Sequence, residues 1–182
     1  KSIDVPLSYK EMFDITVEGI RKQNAECRVS DEIGAFWRVV QFLVSEGEII
    51  EDGDFKIRVL ARFHSDRFKD IHWNEPRKVL YLQKTRIFML YKQNCHKIGD
   101  KILPEETLKY YLENSKCFLG EQRMTYHVFK KGVQVIDYEH HNGVNEPIKK
   151  SVQQRSYCFD YQLLAETFEI NLELGNTETP EE

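Results

Sequence analysis

The sequence predicts an α+β protein: a winged helix-turn-helix with an enlarged β wing, preceded by a helical pair and a β-hairpin. Two observations favour this fold. Residues 78–129 order a short apolar strand, a helix, a turn, a second helix and an alternating strand ladder, which is the layout of a winged helix-turn-helix. Before that stretch, two helical apolar patterns precede an Asp-Gly turn between alternating runs, which is typical of a hairpin.

The composition is that of a folded domain with its own core. The chain has 182 residues, of which 41% are hydrophobic and 31% are charged, and this balance argues against disorder. No apolar run reaches the roughly 18 residues that a membrane-spanning helix needs, and the first residues lack the sections of a signal peptide. We therefore expect a cytoplasmic protein without membrane contact, and the missing initiator methionine predicts a fragment of a longer chain.

Two predicted helices form the N-terminal pair. The first begins at Ser8, whose hydroxyl and the carboxylate of Glu11 predict a capping box, and its apolar face reaches Asn24. The second begins at Ser30 and carries an uninterrupted i, i+3, i+4, i+7 apolar pattern. Gly47 is expected to end it as a left-handed cap.

A hairpin and a polar connection follow the helical pair. Residues 48–51 and 54–60 lie on either side of Asp52-Gly53 and predict two paired strands, with Phe55 and Phe63 on one face. Residues 64–76 are polar and predict a connection. The predicted organisation is a helical pair plus hairpin at 1–75, a winged-helix-like domain at 76–172 and a disordered acidic tail at 173–182.

The central unit supplies the helix-turn-helix. A strand at 79–82 leads into a helix at 85–96, a break near Gly99 and a second helix opened by Pro104. The outward face of the second helix is the one that a recognition helix would present. That face holds Thr107, Lys109, Tyr110, Glu113 and Asn114.

The enlarged wing follows Gly120. Alternating residues up to 128 predict one strand, Lys130-Lys131-Gly132 predicts a turn, and 133–136 predicts the returning strand. Residues 140–147 are expected to be an exposed loop, 148–155 a basic segment, 156–160 a further strand and 161–168 a closing helix. Residues 84–160 carry 13 basic and 9 acidic side chains, net +4, between acidic flanks, which permits phosphate contacts in this part of the chain.

Basic and polar residues of the second helix and the wing predict contacts with DNA, because Lys and Arg that neutralise phosphates release counterions. The predicted DNA-binding residues are Thr107, Lys109, Tyr110, Asn114, Arg123, Lys130, Lys131, Lys149, Lys150 and Arg155. Glu105, Glu106 and Glu113 on the second helix would repel DNA, so the sequence favours the basic wing as the contact surface. Single-stranded, forked and duplex DNA all stay open as ligands.

Catalytic and metal-binding patterns are missing from the sequence. It has no Gly-x-Ser-x-Gly elbow, Walker A loop or Gly-x-Gly-x-x-Gly motif, and its four cysteines include no C-x-x-C pair. His140 and His141 are adjacent and would point in different directions on a strand, which disfavours a shared metal ion. We expect no enzymatic activity, cofactor or metal in this chain.

Three stretches carry a family resemblance: SYKEMFDITVEGIRKQN, EIGAFWRVVQFLVSEGEI and RIFMLYKQN…LPEETLKYYLENSKCFLGEQR. Over residues 8–172, the chain resembles the region after the helicase module in bacterial primase-helicase proteins of prophages and mobile elements. The resemblance implies a non-catalytic DNA-binding domain that acts in replication beside ATPase and primase modules of the same full-length chain. The sequence itself holds no Walker motif, primase acidic triad or zinc-ribbon cysteine set.

Two other functions stay open at this level. The acidic residues of the second helix and the net charge of −4 favour a protein interaction module that docks helicase subunits or a loader. A winged-helix transcription regulator is the second alternative. A salt-dependent binding measurement separates DNA binding from protein docking, because phosphate contacts release counterions and weaken as salt is added.

Overall fold

Helices and antiparallel strands share the described part of the chain, which confirms the predicted α+β class. The computed structural model describes residues 8–64, 70–130, 132–141 and 144–173, so the tail predicted at 173–182 lies outside these ranges apart from its first residue. The helices are α1 (Tyr9–Ser45), α2 (Lys84–Ile98), α3 (Glu105–Glu113) and α4 (Tyr161–Phe168). The strands are β1 (Phe55–Phe63), β2 (Ile71–Gln83), β3 (Phe118–His127), β4 (Phe129–Lys130), β5 (Val133–Gln134), β6 (Ile136–His141), β7 (Val144–Lys149) and β8 (Ser151–Asp160).

One continuous helix replaces the predicted helical pair. α1 contains 37 residues and runs through the segment between Asn24 and Ser30, where the sequence predicted a break. That segment holds neither proline nor glycine, and a break there would leave backbone N–H and C=O groups at two helix ends without partners. Continuous helical hydrogen bonding therefore outweighs the capping signal at Ser30, and the prediction of two helices is wrong.

Both ends of α1 follow their sequence signals. The Ser8 hydroxyl accepts a hydrogen bond from Glu11 N at 3.3 Å, and Ser8 N donates to Glu11 Oε2 at 2.7 Å, so the predicted capping box is confirmed. At the other end Gly47 has φ 69°. Its N–H donates to Val44 O, and the following N–H donates to Leu43 O. These two bonds form a Schellman motif, whose left-handed residue is usually glycine.

A four-stranded antiparallel sheet in the order β1-β2-β8-β3 carries the fold. β8 lies between β2 and β3, and it pairs with residues 79–83 of β2 and with nearly the whole of β3. The α2 and α3 helices connect β2 to β3 in sequence. α2 and α3 therefore link the two strands that lie on either side of β8 in the sheet.

The main hydrophobic core lies between one face of this sheet and the helices. Trp37 is fully buried, with its ring centroid 5.1 Å from that of Phe36 and 5.2 Å from that of Phe159. A smaller cluster on the other face contains Phe63, Val79, Tyr81 and Cys158. Side-chain alternation along β8 explains the division, because consecutive residues such as Cys158 and Phe159 point to opposite faces.

Only the turn of the hairpin predicted at 48–60 is present. Asp52 has φ 63°, and Asp54 N donates to Ile50 O at 2.8 Å. Residues 48–51, however, form no strand beyond a single bridge between Glu51 and Phe55, and β1 pairs with β2 instead. The Schellman end of α1 already uses residues 47 and 48, which leaves too few residues for a strand before the turn, so this part of the prediction is wrong.

The connection predicted at 64–76 is wrong in its second half, because β2 begins at Ile71. Residues 71–76 lie on a part of β2 that β8 does not reach, and their polar side chains take exposed positions there. Pro76 falls in a gap of the β1–β2 register, where no ladder hydrogen bond is lost. β2 thus runs through the predicted boundary between residues 75 and 76, and the main core draws residues from both sides of it.

An irregular pairing between Leu60 and Arg62 changes the face that β1 presents. Phe55 lies in the main core, whereas Phe63 lies in the cluster on the other face. Residues eight apart share a face in a regular strand, which is why the sequence placed them together. Between Leu60 and Arg62 β1 has one residue, whereas the facing part of β2 has four, residues 73–76. Such an irregularity interrupts the regular alternation of faces, so that prediction is wrong.

The segment of residues 129–150 between β3 and β8 forms an extension that we call the arm. It contains two antiparallel ladders, β4 with β5 and β6 with β7. Three backbone hydrogen bonds join these ladders to the end of the β3–β8 ladder: Val128 N to Lys150 O at 2.9 Å, Val135 N to Val128 O at 2.8 Å and Lys150 N to Val135 O at 2.9 Å. The arm is therefore attached through a closed ring of main-chain bonds.

The wing predictions are confirmed in part. Lys130 pairs with Val133 across the predicted turn, although Lys131 lies outside the described residues. The predicted return of 133–136 along the first strand is wrong, because β8 is the partner of β3. The loop predicted at 140–147 is also wrong, since its described residues belong to the paired strands β6 and β7. Sequence patterns identified strands here but not their partners, which depend on long-range register.

Candidate nucleic-acid interface

A cleft of about 340 Å³ opens between the first turn of α2, the helix α3 and the strand β8. Two of the predicted DNA-binding residues, Lys109 and Arg155, line this cleft together. The other polar lining residues are Lys84, Thr85, Glu105 and Gln154, and the apolar lining includes Phe36, Phe88 and Tyr157. A concave site with aromatic surface and several cations can hold a ligand that carries both rings and negative charge.

Lys84 is fixed at the floor of the cleft. Its Nζ lies 2.6 Å from Glu121 Oε1 and 4.4 Å from the centroid of the Tyr157 ring. Arg155 Nη1 lies 4.0 Å from the second oxygen of the same Glu121 carboxylate, which is 10% exposed. Two cations therefore converge on one nearly buried carboxylate. This carboxylate carries one negative charge and can neutralise only one of the two positive charges.

Arg123 and Arg155 stand directly opposite each other on β3 and β8. Residues in register on antiparallel strands share a face with their Cβ atoms about 5 Å apart, and like charges at such positions destabilise the pair. By alternation, Arg155 lies on the same face as Tyr157, which is the face that meets the helices. Among the described residues Arg123 has no ion-pair partner, so an anion on this face would relieve the repulsion.

The N-terminus of α2 adds positive potential beside the cleft. Its first turn contains Lys84 and Arg86 and no acidic residue, and the N-cap residue Gln83 makes no side-chain capping bond. Free N–H groups at a helix start carry partial positive charge, which acidic residues usually compensate. Here basic side chains increase that charge, although Arg86 Nε also contacts Asp54 Oδ1 at 3.3 Å.

Carboxylates also lie close to the cleft. Glu105 lines it, and Glu113 Oε1 is buried without a hydrogen-bond partner among the described residues. Burial raises the pKa of Tyr157, and the carboxylates of Glu113 and Glu121 raise that pKa further. The Tyr157 hydroxyl is therefore neutral at physiological pH. Among the described residues, three cations and one carboxylate line the cleft, and Glu113 and Glu121 lie close to it, so the site is mixed in charge.

The predicted contact face of α3 is divided between the cleft and the surface. Thr107 and Lys109 are half-buried, whereas Tyr110 and Asn114 are exposed. Asn114 Nδ2 donates to Tyr110 O at 2.7 Å, so this amide caps the end of the helix. Of the four predicted residues on α3, Lys109 is the one that reaches the cleft, and Tyr110 offers an exposed ring outside it.

The predicted basic residues of the arm lie apart from the cleft. Lys130, Lys149 and Lys150 are exposed, and Lys150 Nζ lies 3.5 Å from Asp137 Oδ2. Lys131 belongs to the same predicted set but lies outside the described residues. The arm also exposes apolar side chains, among them Val133, Ile136, Tyr138 and Ile148. The structure thus separates the described predicted lysines of the arm from Lys109 and Arg155, which line the cleft.

Sequence reasoning missed Lys84, Glu121 and Tyr157 as members of the site. A detectable signal existed for Lys84, because basic residues in the first turn of a helix interact unfavourably with the helix dipole and are therefore unusual there. Glu121 and Tyr157 face each other across β3 and β8, and this pairing was hidden because the intervening arm separates the strands in sequence. No local pattern reports such a register.

The described residues contain no group of three or more His, Cys, Asp or Glu side chains placed to bind a metal ion. His140 and His141, which the sequence placed in an exposed loop and not in a metal site, form part of β6, and β6 pairs with β7. Within the described ranges, no helix has the length and apolar character required to cross a membrane. Cys95, Cys117 and Cys158 are buried free thiols, and Cys27 is an exposed one.

Comparisons with protein-family models, with curated proteins and with solved structures found no match for this chain. The resemblance to primase-helicase proteins therefore stays an expectation drawn from the sequence.

Proposed function

We propose that this chain is a non-catalytic DNA-binding accessory domain that holds the phosphate backbone on the β3–β8 face beside the cleft. The opposition of Arg123 and Arg155 carries the proposal. Two guanidinium groups at facing positions repel each other, and a phosphate between them would accept hydrogen bonds from both. A regularly spaced polyanion would satisfy this pair and still reach the cations of the cleft.

Cations from three elements support a backbone contact rather than a single bound ion. Lys84 comes from α2, Lys109 from α3 and Arg155 from β8, and all three line one opening. Phe88 and Tyr157 add aromatic surface to the same lining, and aromatic rings stack on bases in single strands without sequence preference. This combination favours single-stranded or forked DNA over duplex DNA as the ligand.

We also propose the winged-helix assignment within the α+β fold. The order of β2, α2, α3, β3 and β8, with β8 between the other two strands, supports it, and the arm would then be the enlarged wing. The exposed Lys130, Lys149 and Lys150 would add phosphate contacts. The replication setting, beside ATPase and primase modules of a mobile-element protein, rests on the sequence resemblance.

Salt-dependent binding to labelled DNA tests the proposal. We expect wild-type affinity for forked or single-stranded DNA that falls linearly on a log–log plot as salt rises, because each neutralised phosphate contributes a slope of roughly −0.7 to −0.9. Replacing both Arg123→Glu and Arg155→Glu should remove about two of these contacts. Affinity at low salt should then fall on the order of tenfold or more.

A matched control has the same charge change away from the cleft. Arg58→Glu with Lys92→Glu alters two exposed cations, one on β1 at the far edge of the sheet and one beyond the cleft on α2. We expect this variant to bind DNA nearly as the wild type does. The absence of salt-dependent binding by the wild type, or an equal loss in the control, would overturn the proposal.

One observation favours protein docking as a second candidate function. Glu105 and Glu106 are both exposed in the first turn of α3, and Glu105 lies on the rim of the cleft. A basic segment of a helicase subunit or loader could contact these carboxylates. Under this alternative, Glu105→Lys with Glu106→Lys would weaken partner binding, whereas under the DNA proposal the same change would strengthen DNA binding.

A further inference from the structure

The N-terminal half of α1 exposes a surface that no other part of the described chain covers. Of the described side chains between Tyr9 and Arg28, all are exposed except that of Val17. This segment of 20 residues extends over about 30 Å at 1.5 Å per residue. The exposed large apolar side chains within it are Tyr9, Met12, Phe13, Ile15 and Ile20. Most helices in proteins gain the greater part of their stability from tertiary packing. This segment packs against no other part of the described chain, so we expect a partner to cover it.

Three of these apolar side chains, those of Tyr9, Phe13 and Ile20, lie on one continuous seam of the helix, whereas Met12 and Ile15 lie beside it. Positions 9, 13, 16, 20, 23 and 27 alternate in steps of four and three, which is the spacing of core positions in a coiled coil. They are Tyr9, Phe13, Thr16, Ile20, Gln23 and Cys27, and none is charged. At 3.6 residues per turn, the buried face of α1 around Phe36, Trp37 and Val40 lies about 130° around the helix axis from the seam. All six seam residues are exposed, so the described body of the protein does not cover them.

We propose that a second copy of this chain covers the seam, with the two N-terminal halves of α1 packed antiparallel. The charge distribution supports this orientation. Residues 9–18 carry three acidic and one basic residue, and residues 19–28 carry three basic and one acidic residue. An antiparallel pair places each negative half beside a positive half, whereas a parallel pair places like charges together.

Side-chain sizes along the seam favour the same orientation. If the two copies are centred on residue 18, Tyr9 meets Cys27 of the second copy, Phe13 meets Gln23, and Thr16 meets Ile20. Each layer then combines a larger side chain with a smaller or more flexible one, as close packing requires. A parallel pair would instead place Tyr9 on Tyr9 and Phe13 on Phe13. One seam of six residues is smaller than a standard interface, so the dimer should dissociate on dilution.

Sedimentation of the full chain at increasing protein concentration tests the association. We expect a reversible monomer–dimer equilibrium for the wild type and a monomer throughout for Phe13→Glu with Ile20→Glu. The matched control is Ile15→Glu, because Ile15 is 60% exposed on the same segment but lies off the seam. This control should dimerise as the wild type does. A monomeric wild type, or a control as impaired as the seam variant, overturns the proposal.

Cysteine cross-linking tests the orientation. Tyr9→Cys places a thiol opposite Cys27 of the second copy only in the antiparallel pair, where the two native Cys27 residues lie about 27 Å apart along the axis. That separation is too large for a disulfide, and the other native thiols are buried. Mild oxidation should therefore cross-link the variant and not the wild type. Cross-linking of the wild type would contradict the antiparallel arrangement. So would a lack of cross-linking in Tyr9→Cys under conditions where the wild type is dimeric.

Self-association through the seam is independent of DNA binding, because the seam and the cleft share no residue. The seam variant should therefore retain the affinity for DNA of a wild-type monomer. If the seam variant loses dimerisation but still binds DNA, the result supports the self-association proposal. If Arg123→Glu with Arg155→Glu loses DNA binding but still dimerises, the result supports the DNA proposal. The two experiments can therefore fail independently.

Discussion

The cleft and the arm both present basic residues, but only the cleft holds them against a hydrophobic core. Lys84 is fixed between Glu121 and the ring of Tyr157, which is 7% exposed. In the arm, Lys150 meets Asp137 at 3.5 Å, and both side chains are more than half exposed. Cations held in place lose little freedom on binding, whereas mobile ones must be ordered. The cleft is therefore preorganised for a ligand, and the arm can adapt to one.

The same contrast holds for apolar residues. Phe159 is fully buried between Trp37 and Phe118, whereas Tyr138 in the arm is 67% exposed. None of the buried core side chains in the described part of the chain comes from residues 129–150. Regions with few buried contacts open locally at lower free energy than the core does. We expect the arm to exchange its amide hydrogens faster than β3 and β8 below it.

The largest effect is expected from truncating the core under the cleft. Phe159→Ala should lower the free energy of unfolding by about 3–5 kcal/mol, because it removes a large buried ring and leaves a cavity beside Trp37. Tyr138→Ala should change this free energy by less than about 0.5 kcal/mol, since its ring is exposed. Urea titration of both variants measures the difference. A similar loss in the two variants would show that the arm packs as tightly as the body.

An intermediate effect is expected where the arm meets the body. A Cβ at Gly53 would lie 2.7 Å from Phe129 Cδ2, at the start of the arm. Gly53→Ala should therefore displace the Phe129 ring and cost about 1–3 kcal/mol, as overpacking usually does. Thermal unfolding gives the cost, and hydrogen exchange shows whether the arm loosens.

Gly132→Ala serves as the control for added volume, because nothing lies within 4 Å of the Cβ it would carry. Its φ of 77° predicts a local backbone cost in the turn of the arm. Loosening of the amides near Phe129 in Gly53→Ala but not in Gly132→Ala would identify the contact as the anchor. Equal loosening in both variants would show that the arm is sensitive to any change.

The smallest effect is expected at Asp54, which lies in the turn immediately before β1. Burial raises the pKa of this carboxyl above its ordinary value of 3.8, although its Oδ2 accepts a hydrogen bond from Ile50 N at 3.0 Å. Asp54→Asn preserves an acceptor for that N–H and removes the partly exposed contact with Arg86. We expect a change of less than about 1 kcal/mol at neutral pH.

The pH dependence of this variant has a defined sign. A raised pKa means that the folded state binds the proton more readily than the unfolded state does. Wild-type stability relative to Asp54→Asn should therefore increase as pH falls through the folded-state pKa towards 3.8, and should be lowest above that range. Urea titrations at several pH values measure the difference. Wild-type stability that instead decreases relative to Asp54→Asn on acidification would mean that hydrogen bonding, and not burial, controls this carboxyl.

Local features of the fold could be predicted because they depend on nearby residues. The Ser8–Glu11 capping box, the left-handed Gly47, the break at Gly99 and the order of α2 and α3 all follow from sequence signals a few residues long. The break predicted before Ser30 is wrong because continuous helical hydrogen bonding was more favourable than a new helix start at the Ser30 capping signal. Lys109 was predicted from its place on the outward face of the second helix and Arg155 from its place in a basic segment, and neither pattern indicated that the two residues line one cleft.

The sequence by itself determined the α+β class, the turns and the distribution of basic residues between acidic flanks. Only the tertiary structure decided which strands pair: β8 lies against both β2 and β3, and this register brings Arg123 opposite Arg155. The physical reason is that helix caps and turns are local equilibria, whereas strand pairing requires closing the long loop that contains the arm. Charge density could be read from the chain, but the convergence of charges on one cleft required the fold.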